Sequence, residues 1–205
     1  MTHYLLMDVD DVLVGSGPAR WDADLEADFG IAPDDLEKHF FAPAWVEVQT
    51  GLAKLEDRLA QALEQMGSEA DVEDLIAYWF DRGAILREDV FEQAKALRDD
   101  GWTIWLATNQ EPRRMAWLME HRRLKEVVDH KIISADVGRV KPNVGFFEAV
   151  ERIISARPEQ LIFIDDSPEN ADVARARGWK AAAWEEGGAL RDMVQELMDG
   201  TRPSS

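Results

Sequence analysis

The stretch HYLLMDVDDVLV, residues 3–14, passes from a short uncharged segment directly into three acids, Asp8, Asp10 and Asp11. Residues 3–7 are too few for a helix and show no polar alternation, which predicts a strand buried on both faces with a polar carboxyl end. Residues two apart on an extended chain share a side, so Asp8 and Asp10 can address one ligand together while Asp11 points outward. Two neighbouring carboxylates repel unless a cation or a shared proton relieves them. By itself such a run fits a solvated acidic turn equally well. Its place after an apolar strand is what aims it into a crevice.

The same apolar-then-polar pattern recurs down the chain. WTIWLA (102–107) ends in Thr108, Asn109 and Gln110, and LIFI (161–164) ends in Asp165, Asp166 and Ser167. HKIIS (130–134) and a weaker run at 179–183 complete five predicted strands. Helical patterns lie between them at 90–99, 112–120, 144–154 and 169–177, the last stopped by Gly178. Strands alternating with helices predict an α/β protein with a Rossmann-like, doubly wound parallel sheet covered on both faces. Ligands bind such sheets beyond the carboxyl ends of the strands, where Asp8, Thr108, Asp165 and Asp166 all belong.

The alternation breaks between residues 15 and 87, which contain helix-like segments at 21–29, 34–41, 52–66 and 71–80 but no convincing strand. Leu52, Leu55, Leu59 and Leu63 recur at spacings of three and four, an apolar helix face. The expected organisation is therefore an α/β core of residues 1–14 and 88–205 with an inserted α-helical cap at 15–87, hung over the carboxyl edge as a lid. Residues 200–205 read as a frayed terminus.

A chain of 205 residues, 46% hydrophobic, can bury a substantial core. It has no cysteine, which removes disulfides and thiolate metal sites and leaves a cytoplasmic location as the default expectation. The N-terminal apolar run is too short and too acidic for a secretory signal, so no membrane association is expected. With 41 acidic and 23 basic residues the net charge is −18, which repels nucleic acid and anionic lipid. A phosphorylated substrate is repelled as well, so any phosphate site needs a local cation.

Lys141 meets that need. It lies in GRVKPNVGFF (138–147), where Pro142 prevents the helix from starting earlier and leaves the lysine on a loop between core elements; Arg139 is a weaker candidate beside it. The acids Asp165 and Asp166 meet Asp8 if their strands are neighbours, forming an oxygen-rich pocket that suits Mg2+. Asp166 or Ser167 also suits the cap of the helix beginning near Pro168. Thr108 and Asn109 can donate to anionic oxygens, with help from amides at the helix start near Pro112. The TNQ loop equally fits an ordinary helix cap.

Together DVDDV (8–12), LATNQ (106–110), VKPN (140–143) and FIDDSPEN (163–170) resemble the four ordered motifs of the haloacid dehalogenase superfamily. The helical insertion resembles the cap of its first subfamily. The resemblance implies that Asp8 attacks phosphorus to form an aspartyl-phosphate while Asp10 protonates the leaving oxygen and later activates water. It implies Mg2+ held by the Asp8 carboxylate, the Asp10 backbone carbonyl and Asp166, with Asp165 and Asn170 in support. Thr108 and Lys141 match the positions that hold the transferring phosphoryl group. Members that displace halide lack the second aspartate, so Asp10 favours phosphate chemistry. Asp11 stands where the superfamily usually has glycine.

The expected activity is thus a phosphoric monoester hydrolase acting on a small phosphorylated metabolite, such as a sugar phosphate. A phosphosugar mutase would use the same aspartates, and a non-catalytic phospholigand-binding protein would keep the fold. Substrate-facing candidates in the cap are Trp21, His39, Phe40, Trp45 and Gln49; a tryptophan in a small helical unit also serves as core.

Overall fold

The computed structural model describes residues 4–17 and 19–200, so His3 and the tail from 201 lie outside the described residues. Among the described residues there are seven strands: β1 (Tyr4–Met7), β2 (Val14–Gly15), β3 (Ile85–Leu86), β4 (Thr103–Thr108), β5 (His130–Ile133), β6 (Leu161–Asp165) and β7 (Lys180–Ala183). Five of them form a parallel sheet in the order β5-β4-β1-β6-β7. The chain starts in the middle of this sheet, builds outward to β5, and then returns to the other side of β1. That reversal makes the carboxyl ends of β1 and its neighbours the natural ligand crevice.

Alternation along the strands sorts side chains between two cores. Leu5, Met7, Ile104, Leu106, Ile162 and Ile164 face one side, where they pack with Val90, Phe91, Met115, Leu118 and Val194. Leu6, Ala107, Phe163 and Ala181 face the other, with Phe146, Phe147, Val150 and Ala171. The first layer comes from the helices Glu88–Asp99, Pro112–His121 and Leu190–Asp199, the second from Val144–Ile154 and Pro168–Ala176. Burial on both faces is why these strands show no period-two polarity. The helix Leu190–Asp199 was not anticipated from the sequence; Gly200, read as part of the frayed tail, is its left-handed cap at φ 78°.

The insertion differs from expectation in three places. Val14–Gly15 pairs antiparallel with Ile85–Leu86, so the 15–87 region does contain a strand at its end. Pairs this short carry no periodicity for a sequence reading to detect. Ala42–Gln49 is a helix of its own, continuous with the wider-wound turn Glu37–Phe41 and the helix Pro33–Leu36. The third difference is Leu52, which precedes the helix Leu55–Met66 and is 81% exposed, so the apolar face begins at Leu55.

Leu25–Phe29 and Val72–Arg82 complete this helical layer. Asp71 starts the latter by accepting from the Glu73 and Asp74 amides at 2.8 and 3.0 Å. Leu25, Phe40, Val48, Leu55, Leu59, Leu63, Leu75 and Phe80 share one apolar cluster separate from the two sheet cores. Among the described residues no helix is long and apolar enough to cross a membrane.

Candidate active site

The sheet order decides the site. Met7 pairs with Leu106 on one side and Ile164 on the other, so the next residue, Asp8, emerges between Ala107 and Asp165. The Asp8 amide donates to the Ile164 carbonyl at 2.9 Å, continuing the β1–β6 ladder by one step. Its carboxylate is then fixed from two directions. Oδ1 accepts from the Val9 amide at 2.8 Å, and Oδ2 lies 3.1 Å from Lys141 Nζ.

Lys141 is the local cation. Its side chain has no exposure, and Nζ donates to Asp165 Oδ2 at 2.5 Å and to the Ala107 carbonyl at 2.8 Å. Burial would lower its pKa, but Asp8 and Asp165 outweigh burial and raise it, so the ammonium stays charged. Burial likewise dominates Asp8, pushing its carboxyl up to about 7; Lys141 opposes the rise and Asp165 adds to it. Asp166 is also raised, by burial first and then by Asp165.

Asp165 is wholly buried and accepts from three protein donors. Oδ2 takes Lys141, while Oδ1 accepts the Ser167 amide at 2.9 Å and Asn170 Nδ2 at 2.8 Å. Ser167 caps the helix Pro168–Ala176, which leaves the Asp166 carboxylate free of that duty and exposed. Asp8, Asp165 and Asp166 each offer an oxygen, and these lie within 4.8 Å of one another. Three carboxylates at that separation facing one lysine form a hard-oxygen set of the kind that takes Mg2+.

On the β4 side, Thr108 is 1% exposed. Its Oγ1 lies beside the Asp8 carboxylate, whose pKa it lowers as a hydrogen-bond donor, and no other described residue engages it. A buried hydroxyl beside a carboxylate and an ammonium is a donor that an incoming anion can share. Two neighbouring expectations change. The Asn109 amide is committed at both ends to the Lys141 backbone, so its side chain does not face the carboxylates. The first amides of the helix Pro112–His121 are taken by its own cap, Glu111, which accepts from Arg113 and Arg114. Arg139 is outside the cluster and bonds the Gly138 carbonyl at 2.7 Å.

Asp10 stands apart from the buried group, with its side chain 41% exposed. Arg114 holds both of its oxygens, Nη1 to Oδ2 at 2.7 Å and Nη2 to Oδ1 at 2.6 Å, and Gln110 Nε2 adds a bond to Oδ2 at 2.5 Å. Neither Arg114 nor Gln110 was singled out as a partner of Asp10 from the sequence; they are 104 and 100 residues away along the chain. Asp11 occupies the left-handed region at φ 57°, which accounts for a preference for glycine there. Its side chain is 65% exposed and lies 3.8 Å from Arg87, so it points outward because of the turn, not because of strand alternation.

Of the cap candidates, Gln49 reaches the crevice loops, donating from Nε2 to the Asn109 carbonyl at 3.2 Å, while its own carbonyl accepts from Ser134 Oγ at 2.6 Å. Trp21 and Trp45 pack around Trp79, with ring centroids 5.7 and 5.3 Å away. Phe40 is buried in the apolar cluster of the helical layer, and His39 lines a recess of about 140 Å³ with Glu47 and Arg58.

An α/β core with acids at the carboxyl ends of the neighbouring strands β1 and β6 is what this geometry defines. Residues 5–178 match the model of the haloacid dehalogenase-like hydrolase family, and the chain belongs to that family of enzymes. The chain is 32% identical over 95 residues to the GMP/IMP nucleotidase YrfG of Escherichia coli (strain K12), a match covering 46% of this chain and 43% of that protein. The chain thus spans less than half the length of that curated relative.

Among solved structures, the HAD family enzyme bt-2542 of Bacteroides thetaiotaomicron, in complex with magnesium and inorganic phosphate, superposes with a TM-score of 0.80 at 20% identity, covering 94% of this chain and 99% of that one. The L-2-haloacid dehalogenase PA0810 has a TM-score of 0.65 at 20% identity, covering 93% of this chain and 89% of that one. The shared architecture is therefore the Rossmann-like fold of this family, and it serves more than one chemistry.

Proposed function

We propose that this hydrolase is a magnesium-dependent phosphatase acting on a small phosphate monoester through an aspartyl-phosphate on Asp8. The observation that carries the proposal is the pairing of Asp8 with a fully buried Lys141 at 3.1 Å, beside the buried Thr108 hydroxyl. In a protein of net charge −18 this is a local remedy for an anion. Asp8 Oδ1 is held by the Val9 amide, which orients the carboxylate for attack. Lys141 and Thr108 place positive charge and a hydroxyl where charge develops on the transferring group. Asp10 carries the proton to the leaving oxygen and later takes one from water.

Asp8 and Asp166, with the Asp10 backbone carbonyl, would hold Mg2+. Asp165, bonded by Lys141, Ser167 and Asn170, keeps that cluster in register. When bound, the ion supplies charge neutralisation and Lewis acidity toward a phosphoryl oxygen. The fold is shared with a haloacid dehalogenase, so the reaction class rests on the site: halide leaves without a proton, and Asp10 is present to give one. A small substrate is favoured because the helical insertion reaches the crevice loops through Gln49, which would restrict access as a cap. Sugar phosphates and, given the nucleotidase relative, purine nucleoside monophosphates are the first to assay.

The test is phosphate release across such esters with and without Mg2+, using Asp8→Asn as control. The expected result is metal-dependent release that the variant lowers at least ~1000-fold. No release from any ester, or undiminished activity in Asp8→Asn, would overturn the proposal.

A further inference from the structure

Arg114 is 4% exposed, and its guanidinium joins two parts of the molecule that move separately if the cap opens. Both Nη atoms grip the Asp10 carboxylate, and Nη2 also donates to the Gly83 carbonyl at 3.3 Å. Gly83 ends the last cap helix, Val72–Arg82, immediately before β3. A Cβ there would lie 2.8 Å from the Trp79 carbonyl, so the tight turn that presents the Gly83 carbonyl to Arg114 is glycine-dependent. The Trp79 ring centroid is 6.0 Å from the Arg114 guanidinium carbon, walling off that side. Arg122, at the C-terminal end of the same helix, bonds the Ala84 and Asp81 carbonyls, so the same crossing is tied twice.

Asp10 lies beyond β1, tied to Val14 by an isolated bridge and followed at once by the left-handed Asp11. Its side chain is 41% exposed, and among the described residues the Arg114 fork and Gln110 are what hold it from turning to solvent. Stability is a weak explanation for such a pair, because burying a guanidinium costs several kcal/mol that a partly exposed partner repays poorly. A planar fork gripping both oxygens does, however, fix the orientation of a carboxylate.

We infer that Arg114 is a positioning residue, anchored on the Gly83 hinge carbonyl, that aims Asp10 at the leaving-group oxygen. The inference rests on the phosphatase reading above. In the step concerned, an Asp8 oxygen bonds to phosphorus as the ester P–O bond breaks, and the bonding pair goes to the ester oxygen. That oxygen takes the proton carried by Asp10, which is left as the carboxylate that the Arg114 fork binds best. An alkyl phosphate needs this proton; 2,4-dinitrophenyl phosphate does not, because its phenolate leaves unaided.

The test compares kcat/KM, which reports formation of the phosphoenzyme, on an alkyl phosphate and on 2,4-dinitrophenyl phosphate. Arg114→Met and Arg114→Lys should lose ~100-fold or more on the alkyl ester and no more than about threefold on the dinitrophenyl ester. Asp10→Asn should give the same split, and the Arg114→Met, Asp10→Asn double variant should be no worse than the poorer single. Arg114→Lys keeps a buried cation, so it reports even if Arg114→Met does not fold. Equal losses on both esters, or no loss on either, would overturn the positioning role. Wild-type protein inert toward both esters would overturn the phosphatase reading instead.

Discussion

Asn109 clamps Lys141 by its backbone: Oδ1 accepts the Lys141 amide at 2.7 Å and Nδ2 donates to the Lys141 carbonyl at 3.0 Å. Because the backbone is held at this point, the lysine side chain can run inward to Asp8 and Asp165 without exposure. The loop after β4 and the loop before the helix Val144–Ile154 are thereby locked together.

Replacing Asn109 with Ala leaves a partly buried amide and carbonyl of Lys141 without partners, at a cost of about 1–3 kcal/mol. The midpoint of urea unfolding should fall accordingly. If Lys141 holds the phosphoryl group, kcat/KM for phosphate release should fall ~10-fold or more, since a small displacement of the charge weakens transition-state stabilisation. Unchanged stability together with unchanged kcat/KM would show that the clamp does not position Lys141.

The raised carboxyl of Asp8 makes stability depend on pH in a stated direction. Its folded pKa of about 7 lies above the ordinary aspartate value of 3.8, so between those values the folded protein holds a proton that the unfolded chain has released. Stability of the metal-free protein therefore falls as pH rises through that window. The raised pKa of Asp166 acts with the same sign. Thermal unfolding should show Tm declining between about pH 4.5 and pH 7.5, less steeply in Asp8→Asn, and Mg2+ should raise Tm more at the upper end of the range. A wild-type slope no steeper than that of the variant would rule out Asp8 as the cause.

Asp11 occupies a left-handed position at φ 57° with a mostly exposed side chain. Relief of that conformation by Asp11→Gly should offset the entropy cost of glycine and change stability by no more than about 1 kcal/mol in either direction. Asp11→Val, whose branched Cβ fits this region poorly, should destabilise by about 1–2 kcal/mol. Urea unfolding of the two variants checks the contrast. Equal stability of Asp11→Val and wild type would mean the turn relaxes out of the left-handed region.

Much of the core was legible because its signals are local. The apolar runs at 5–7, 104–107 and 161–164 read as buried strands, and the polar residues that follow them belong at one sheet edge. Lys141 was recognisable as the needed cation because Pro142 leaves it on a loop between core elements of an acidic chain. The pieces that escaped notice have no local signal. Two-residue strands show no period, and the helix Ala42–Gln49 begins within a continuous winding from Pro33, without a cap of its own. Nothing near Leu52 announces that the helix starts three residues later.

What the amino-acid sequence determined by itself was the class of fold and the residue types at its carboxyl edge, since burial pattern and chain order depend on neighbours a few residues apart. Whether those residues meet depended on strand order, and only the tertiary structure placed β1 between β4 and β6. Partner choice was likewise decided in three dimensions. Asn109 turned to the Lys141 backbone, Ser167 rather than Asp166 became the helix cap, and Asp10 was taken by Arg114. Each of these is a competition among polar groups for a few directed bonds in a desolvated space. Its outcome follows from sub-ångström placement of elements far apart in the chain.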